Sequence, residues 1–331
     1  LEVFVYQPTI DQFRASDKPV QPVCVNTAVD AIGTRAGRAS VPFAILVNRS
    51  AGSFRLFGLV RLKAAMRRAG LPQDVPLILS MGHELHDRAL DLVRQGVQTL
   101  GILGGDGSAR TVALALRGLD VPILPLPGGT LNRLCHRVHG HADLERTLRD
   151  LGQAKPIWLS GGLANEHLFL VAAGFGPWMA FHTMRETLRR QGFWAGLSAF
   201  KTLRHDLFAG RLRLSANTQA CDVVIAAPSH VDDAFGLGTT ERDFPETRLE
   251  TAQARFSSLG RVLWLAMAVL FRRWRSLSFT KIQISERLSI SGGDDEIFGL
   301  VDGEKCEFGN HLVLRARPRA ALVLSTKHPQ K

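Results

Sequence analysis

Gly104-Gly105-Asp106-Gly107-Ser108 follows directly on the apolar run 97–103 and leads directly into the helix-like run 109–116. A strand that ends in glycines and turns into a helix lets backbone N–H groups close on a phosphate, and the helix N-terminus adds its partial positive charge. Asp106 places a carboxylate at that point, where a Mg²⁺ ion or a substrate hydroxyl can meet the phosphate. Taken alone, the same five residues also describe a tight strand–helix turn with an N-cap Asp. The surrounding pattern decides between the two.

Apolar runs at 43–47 and 75–79 alternate with helical periodicity over 54–68 and 84–94, and a strand-like run at 121–126 ends on Pro127-Gly128-Gly129. Strand and helix alternating at short spacing predict βαβ units and a parallel sheet, with ligands beyond the strand C-termini. The polar and glycine signals sit at those ends: Asn48-Arg49-Ser50-Ala51-Gly52, Ser80, Gly104 to Ser108, and Gly128-Gly129-Thr130-Leu131-Asn132. Four loops therefore converge on one rim. In such a sheet the Thr130 hydroxyl and Asn132 amide come beside the first glycine loop, although Thr130 as a plain N-cap fits the same residues.

Beyond about residue 150 the texture changes. Short strand candidates at 157–159, 168–172, 212–215, 223–226, 248–253, 279–284, 288–290, 297–301, 312–316 and 321–325 are separated by turn residues. Helical segments interrupt them near 177–208 and 258–272. The expected fold is α/β: an N-terminal parallel-sheet nucleotide-binding domain over 41–150, then a β-rich sandwich domain over 151–331 whose final strands can return toward the cleft. Residues 1–40, broken by Pro8, Pro19 and Pro22, are expected to form a poorly ordered extension.

The 331 residues carry 41 Lys+Arg against 30 Asp+Glu, a net charge of +11, with 45% hydrophobic residues. That composition buries real cores and excludes broad disorder. A basic protein suits nucleic acid, an anionic membrane surface or phosphorylated substrates. Nucleic acid is disfavoured, because there is one Tyr and no alternation of aromatics with Arg and Lys. Basic residues instead flank apolar stretches, at 185–190 and in Arg272-Arg273-Trp274-Arg275, which suits lipid headgroups. The apolar run 262–271 is far short of the roughly 20 residues a bilayer crossing needs, so no transmembrane helix is expected.

Cys24, Cys135, Cys221 and Cys306 show no paired spacing, which points to a reducing cytosol and away from disulfides or structural zinc. Residues 1–10 lack a basic n-region, so no secretory leader is expected there. The cluster from Cys135 to His141 fits no zinc spacing and is read as a helix end with scattered histidines. Gly292-Gly293-Asp294-Asp295-Glu296 is read as a hairpin tip.

Near the C-terminus, Gly299-Leu300-Val301-Asp302-Gly303-Glu304 ends an apolar strand with two carboxylates split by a glycine. By itself this is an ordinary hairpin turn; beside Asp106 it offers a general base for a hydroxyl. The ordered set of Asn-x-Ser-x-Gly, Gly-Gly-Asp-Gly-Ser, Gly-Thr-x-Asn and Asp-Gly-Glu resembles the diacylglycerol kinase catalytic-domain family, which includes sphingosine and ceramide kinases and bacterial soluble lipid kinases. The resemblance spans about 41–326.

It implies an ATP-dependent, Mg²⁺-requiring lipid kinase of phospholipid metabolism, acting on a diacylglycerol-like or sphingoid lipid. The second domain would hold that lipid, and the enzyme would sit peripherally on the anionic inner membrane surface from the cytoplasm. A homodimer is one option for its assembly. The resemblance also places Asn48, Arg49, Ser50, Ala51, Gly52, Ser80, Gly104, Gly105, Asp106, Gly107, Ser108, Ala109, Arg110, Gly129, Thr130, Asn132 and Glu304 around the nucleotide. Asp302 matches the proton acceptor of the bacterial enzymes. Asp106 is then left for Mg²⁺ and phosphate, the reverse division being the alternative.

Arg49 stands where the family usually has Pro. The region 228–250 lacks the family's structural-Mg²⁺ sequence, and Asp232, Asp233 and Asp243 are its nearest acids. An NAD kinase-like enzyme and a non-catalytic nucleotide- or lipid-binding regulator are the rival readings.

Overall fold

A computed structural model describes residues 43–51, 54–176 (backbone alone at 54–57), 212–214, 220–229, 231, 244–255, 261, 277–293 and 295–327. The expectations for residues 1–40, for the helical segment near 177–208, for the one near 258–272 apart from Arg261, and for Gly52, Asp232, Asp233 and Asp243 lie outside them.

β1 (Phe43–Asn48), β2 (Leu77–Ser80), β3 (Thr99–Gly104) and β4 (Ile123–Pro127) pair in parallel in the order β2-β1-β3-β4. β1 and β3 are buried along their whole length, as strands covered on both faces must be. Their alternating side chains feed two cores. Phe43, Ile45 and Val47 pack with Leu62 and Met66 of α1 (Phe54–Arg68). Ala44 and Leu46 pack with Leu85 and Ala89 of α2 (Leu85–Arg94) and Val112 of α3 (Asp106–Ala115). α4 (Arg133–His139) joins this second core through Leu134 and Val138, and α5 (Leu144–Arg149) joins the first through Leu148.

Because the chain leaves β1 toward β2 on one side and returns to β3 on the other, the strand order reverses between β1 and β3. A crevice opens there beyond the strand C-termini. Asn48 and Gly104 are the residues at its two lips.

The remaining strands are β5 (Lys155–Ala164), β6 (His167–Phe169), β7 (Ala173–Phe175), β8 (Leu212–Leu214), β9 (Ala220–Cys221), β10 (Val223–Pro228), β11 (Leu249–Ala254), β12 (Thr280–Ser285), β13 (Arg287–Ser291), β14 (Phe298–Val301), β15 (Glu304–Glu307) and β16 (His311–Ser325). Among the described residues, six form a separate antiparallel sheet in the order β12-β11-β10-β7-β14-β15. Its inner face meets β8, β13 and the first half of β16 over a shared core of Phe169, Phe175, Val224, Ile290, Val301 and Leu314. This is the expected sandwich. β16 ties both halves of the molecule together. It is antiparallel to β13 and β5, and at Val323 it lies parallel to Ile123 of β4.

Three expectations change. The strand candidates at 312–316 and 321–325 are one strand, whose register shifts between Arg317 and Ala321. Pro318 cannot donate to the ladder and Arg319 takes φ +50, so the pairing slips without ending. The expected strand at 168–172 is strand only at 168–169, in β6, with β7 starting after it, because the N–H groups of residues 170–172 turn to a carboxylate instead of a neighbouring strand. The glycine-acid stretch after β13 is not a hairpin tip: β13 and β14 lie in different sheets, so it crosses between them.

Candidate active site

The crevice is built from close backbone approaches. A Cβ on Gly129 would fall 2.6 Å from the Gly105 Cα, and one on Gly128 would fall 2.8 Å from the Gly104 nitrogen. The Gly128 N–H donates to the Gly104 carbonyl at 2.9 Å. The two glycine loops therefore touch main chain to main chain, which side chains would prevent.

Asn132, at φ +49, locks the second loop from behind. Its Oδ1 accepts from the Gly129 N–H at 2.7 Å while its Nδ2 donates to the Gly129 carbonyl at 3.0 Å. Thr130 is exposed at the tip of that loop. Across the crevice, the Asn48 Nδ2 donates to the Ser108 Oγ at 2.8 Å, and the Asn48 Oδ1 accepts from the Ser50 N–H at 2.8 Å. Arg49 and Ser50 are exposed at the rim and Ala51 is buried. Ser80 stands level with Asn48 in the sheet, but its hydroxyl turns to the Glu84 carboxylate at 3.2 Å. α3 starts without a side-chain cap, since Gly105 occupies the N-cap. Its first N–H groups thus end at the crevice with nothing intrahelical to bind.

Asp106 spends both oxygens on a neighbouring helix. Oδ2 accepts from the Arg133 N–H at 3.0 Å and Oδ1 from the Leu134 N–H at 2.9 Å, capping α4 from across the loop. Burial pushes its pKa up, opposed by those two donors. Each oxygen keeps a lone pair.

Asp302 and Gly303 are the two turn residues between β14 and β15, both at positive φ, +49 and +89. That is the requirement of a two-residue type I′ hairpin, and Asp-Gly is a preferred pair for it. The Asp302 carboxylate enters a nest of three successive donors: Leu170 N–H at 2.7 Å to Oδ2, Val171 N–H at 2.8 Å and Ala172 N–H at 3.0 Å to Oδ1. Burial pushes its pKa up to about 6 against the pull of these three donors and the Arg110 charge.

The hairpin docks on the glycine-loop helix. Arg110 of α3, itself buried, donates from Nη1 to the Val301 carbonyl at 2.8 Å and from Nη2 to Glu304. The Glu304 carboxylate lies so close to Gly107 that a Cβ there would meet it at 1.9 Å. Gly107, Ser108 and Ala109 are buried beneath.

Two residues of the Cys135–His141 stretch, read from the sequence as a helix end with scattered histidines, take buried roles beside the site. Arg137 of α4 is buried and donates to the carbonyls of Ser160, Leu170 and Ser229 and to the Ser160 hydroxyl. Its helical spacing gave the signal, since Leu134, Arg137 and Val138 share the face that packs on the core. His139 is buried between the Pro125 carbonyl, 2.9 Å from Nε2, and Thr326, whose N–H and hydroxyl reach Nδ1. Burial lowers its pKa to about 4.

A triphosphate fits the uncapped α3 N-terminus beside touching glycine loops. Among the described residues no group of three His, Cys, Asp or Glu side chains is placed to hold a metal. A Mg²⁺ ion bound there with phosphate would have Asp106 as its carboxylate, each oxygen keeping a lone pair beside its N–H donor.

Residues 42–160 match the family model described as the diacylglycerol kinase catalytic domain, a family of lipid kinases. The resemblance read from the first three motifs holds over that stretch. Two solved structures from Bacillus anthracis str. Sterne share the fold. One, provisionally described as a diacylglycerol kinase, is 13% identical with a TM-score of 0.66 over 89% of this chain and 98% of that one. The other, described as a diacylglycerol kinase, is 11% identical with a TM-score of 0.58 over 87% and 97%. No curated protein matches the chain.

Proposed function

We propose that the protein transfers the γ-phosphate of ATP to a hydroxyl of a diacylglycerol-like or sphingoid lipid. The observation that carries this reading is the docking of the Asp302 hairpin on the glycine-loop helix, through Arg110, Val301 and Glu304. It sets the turn that carries Asp302 against the helix whose N-terminus suits a triphosphate.

The glycine loops and α3 hold the phosphates with backbone donors, and Arg110 keeps the acid-bearing hairpin in place. Asp302 accepts the proton of the attacking hydroxyl as its oxygen bonds to the γ-phosphorus and the bond to the ADP oxygen breaks. A Mg²⁺ ion bound with the nucleotide would neutralise charge on the phosphate oxygens. The three N–H donors keep the Asp302 carboxylate oriented while its elevated pKa makes it a better base than an exposed aspartate.

A stripe of arginines supports contact with an anionic bilayer. Arg287 and Arg315 face each other directly across β13 and β16, and Arg317 follows two residues along with Arg117 nearby. Among the described residues no ion pair joins any of these four to a carboxylate. Directly opposed like charges cost stability unless an anionic surface relieves them. No helix among the described residues is long and apolar enough to cross a membrane.

The test is transfer of labelled phosphate from ATP to dioleoylglycerol, sphingosine, ceramide and NAD. Labelled lipid is expected, and Asp302→Asn should lower kcat by about 10²–10⁴-fold with little change in the KM for ATP. Labelled NAD alone would favour the NAD kinase-like reading. Bound ATP with no product of any kind would favour a regulator.

A further inference from the structure

The Leu170–Val171 peptide group stands between two charges. Its carbonyl oxygen, belonging to Leu170, accepts from the Arg137 guanidinium, and its N–H, belonging to Val171, donates to the Asp302 Oδ1 at 2.8 Å. An amide whose oxygen is bound by a cation is a stronger donor at its nitrogen, since hydrogen bonds in series polarise one another. The other Arg137 contacts fix where that guanidinium can be. Nη1 also donates to the Ser160 carbonyl at 2.8 Å, and Nη2 to the Ser160 Oγ at 2.9 Å and the Ser229 carbonyl at 2.8 Å. Ser160 and Ser229 are themselves buried and lie hydroxyl to hydroxyl at 3.1 Å. The helix that carries Arg137 is the one that Asp106 caps through Arg133 and Leu134.

From this geometry we infer that Arg137 is a positioning residue for Asp302, acting through a single peptide group, and that α4 thereby sets both acids of the site from one rigid body. Arg137 holds residues 170–172 in the broken-strand conformation that turns three N–H groups on one carboxylate. It also keeps that carboxylate ionised at a pH where burial alone would protonate it. Of the other charged groups among the described residues, Arg110 of α3 acts on Asp302, and Arg110 in turn pairs with Glu304 of the same hairpin and lies near His167 of β6. All remain when Arg137 is replaced. The catalytic meaning of this inference rests on the kinase reading above, but the coupling itself does not.

The experiment follows the Asp302 carboxyl carbon by NMR in aspartate-labelled protein, with Asp302→Asn assigning the signal. In Arg137→Gln the Asp302 midpoint should move up by about one pH unit, and in Arg137→Lys by less. The acid limb of kcat, measured with ATP and dioleoylglycerol in mixed micelles, should move with it while the KM for ATP stays put. A folded Arg137→Gln protein whose Asp302 midpoint is unchanged overturns the inference. Because that variant strands three buried carbonyls and can unfold, the wild type supplies a second measurement. There the Val171 amide and the Arg137 guanidinium nitrogens should both report the Asp302 titration, and a guanidinium blind to it overturns the coupling without any variant. A shifted midpoint in an Arg137 variant, with no phosphate transfer by the wild type, upholds the coupling and removes the kinase reading instead.

Discussion

Asp302, half-buried, and His139, buried, are ionisable groups whose titrations pull stability in opposite directions. His139 titrates near 4 in the folded protein against 6.5 when unfolded. The unfolded chain therefore binds the extra proton first, and the contribution of His139 is complete above pH 6.5 and lost as the pH falls toward 4. Asp302 titrates near 6 folded against 3.8 unfolded, so the folded state takes up its proton first and gains as the pH falls from about 6 to 4. Each effect is worth about 3 kcal/mol at most. Urea unfolding between pH 7 and 4 should show them largely cancelling in the wild type. Asp302→Asn leaves the histidine loss uncompensated, so its stability should fall more steeply with acid; a slope equal to that of the wild type would mean that Asp302 does not titrate in this window. With Asp302 as the proposed base, which must be ionised to act, activity moves the other way: kcat should rise through pH 6.

At the scale of elements, the crevice depends on loops that touch. Gly129→Ala drives a Cβ to 2.6 Å from the Gly105 Cα, backbone against backbone, where nothing can swing aside. A cost of about 1–3 kcal/mol and at least tenfold weaker ATP binding by calorimetry are expected. Gly82→Ala at the same rim is the control, since its nearest contact would be 3.8 Å away. Gly107→Ala should differ from both. The intruding methyl meets the end of a flexible side chain, Glu304, so the fold should survive while the hairpin loosens from Arg110 and kcat falls. Equal ATP affinities for Gly129→Ala and Gly82→Ala would refute the glycine cradle.

The molecule as a whole is closed by β16, which runs from the sandwich to the parallel sheet and lies between β4 and β13. A fragment of residues 41–150 would leave β4 as an open apolar edge and uncover Leu124, Leu126 and Ile123, so it should show no cooperative urea transition. A sharp transition would mean that the parallel sheet is self-sufficient. The arginine stripe on β13 and β16 belongs to this scale too. Sedimentation with phosphatidylglycerol vesicles should fall steeply between low and physiological salt, and Arg315→Glu with Arg317→Glu should weaken it further without unfolding the protein. Salt-independent binding would assign the contact to apolar groups.

The parallel half was legible in the chain because its signals are local: apolar runs of strand length, helical periodicity, and glycines and amides at strand ends, all within a few residues of where they act. So was the Asp-Gly turn, whose backbone demand is met by its own two residues. What those features do to one another lay beyond any local reading. Residues 168–172 have the composition of a strand and would pair as one, had the Asp302 carboxylate not claimed their N–H groups from 130 residues away. Arg137 sat in a stretch read as a helix end with scattered histidines, although its helical spacing already placed it on the buried face. Local periodicity and turn chemistry fixed the elements and the rim they share. Tertiary packing alone decided which buried charge faces which carboxylate, because hydrogen bonds between distant segments leave no repeat in the sequence.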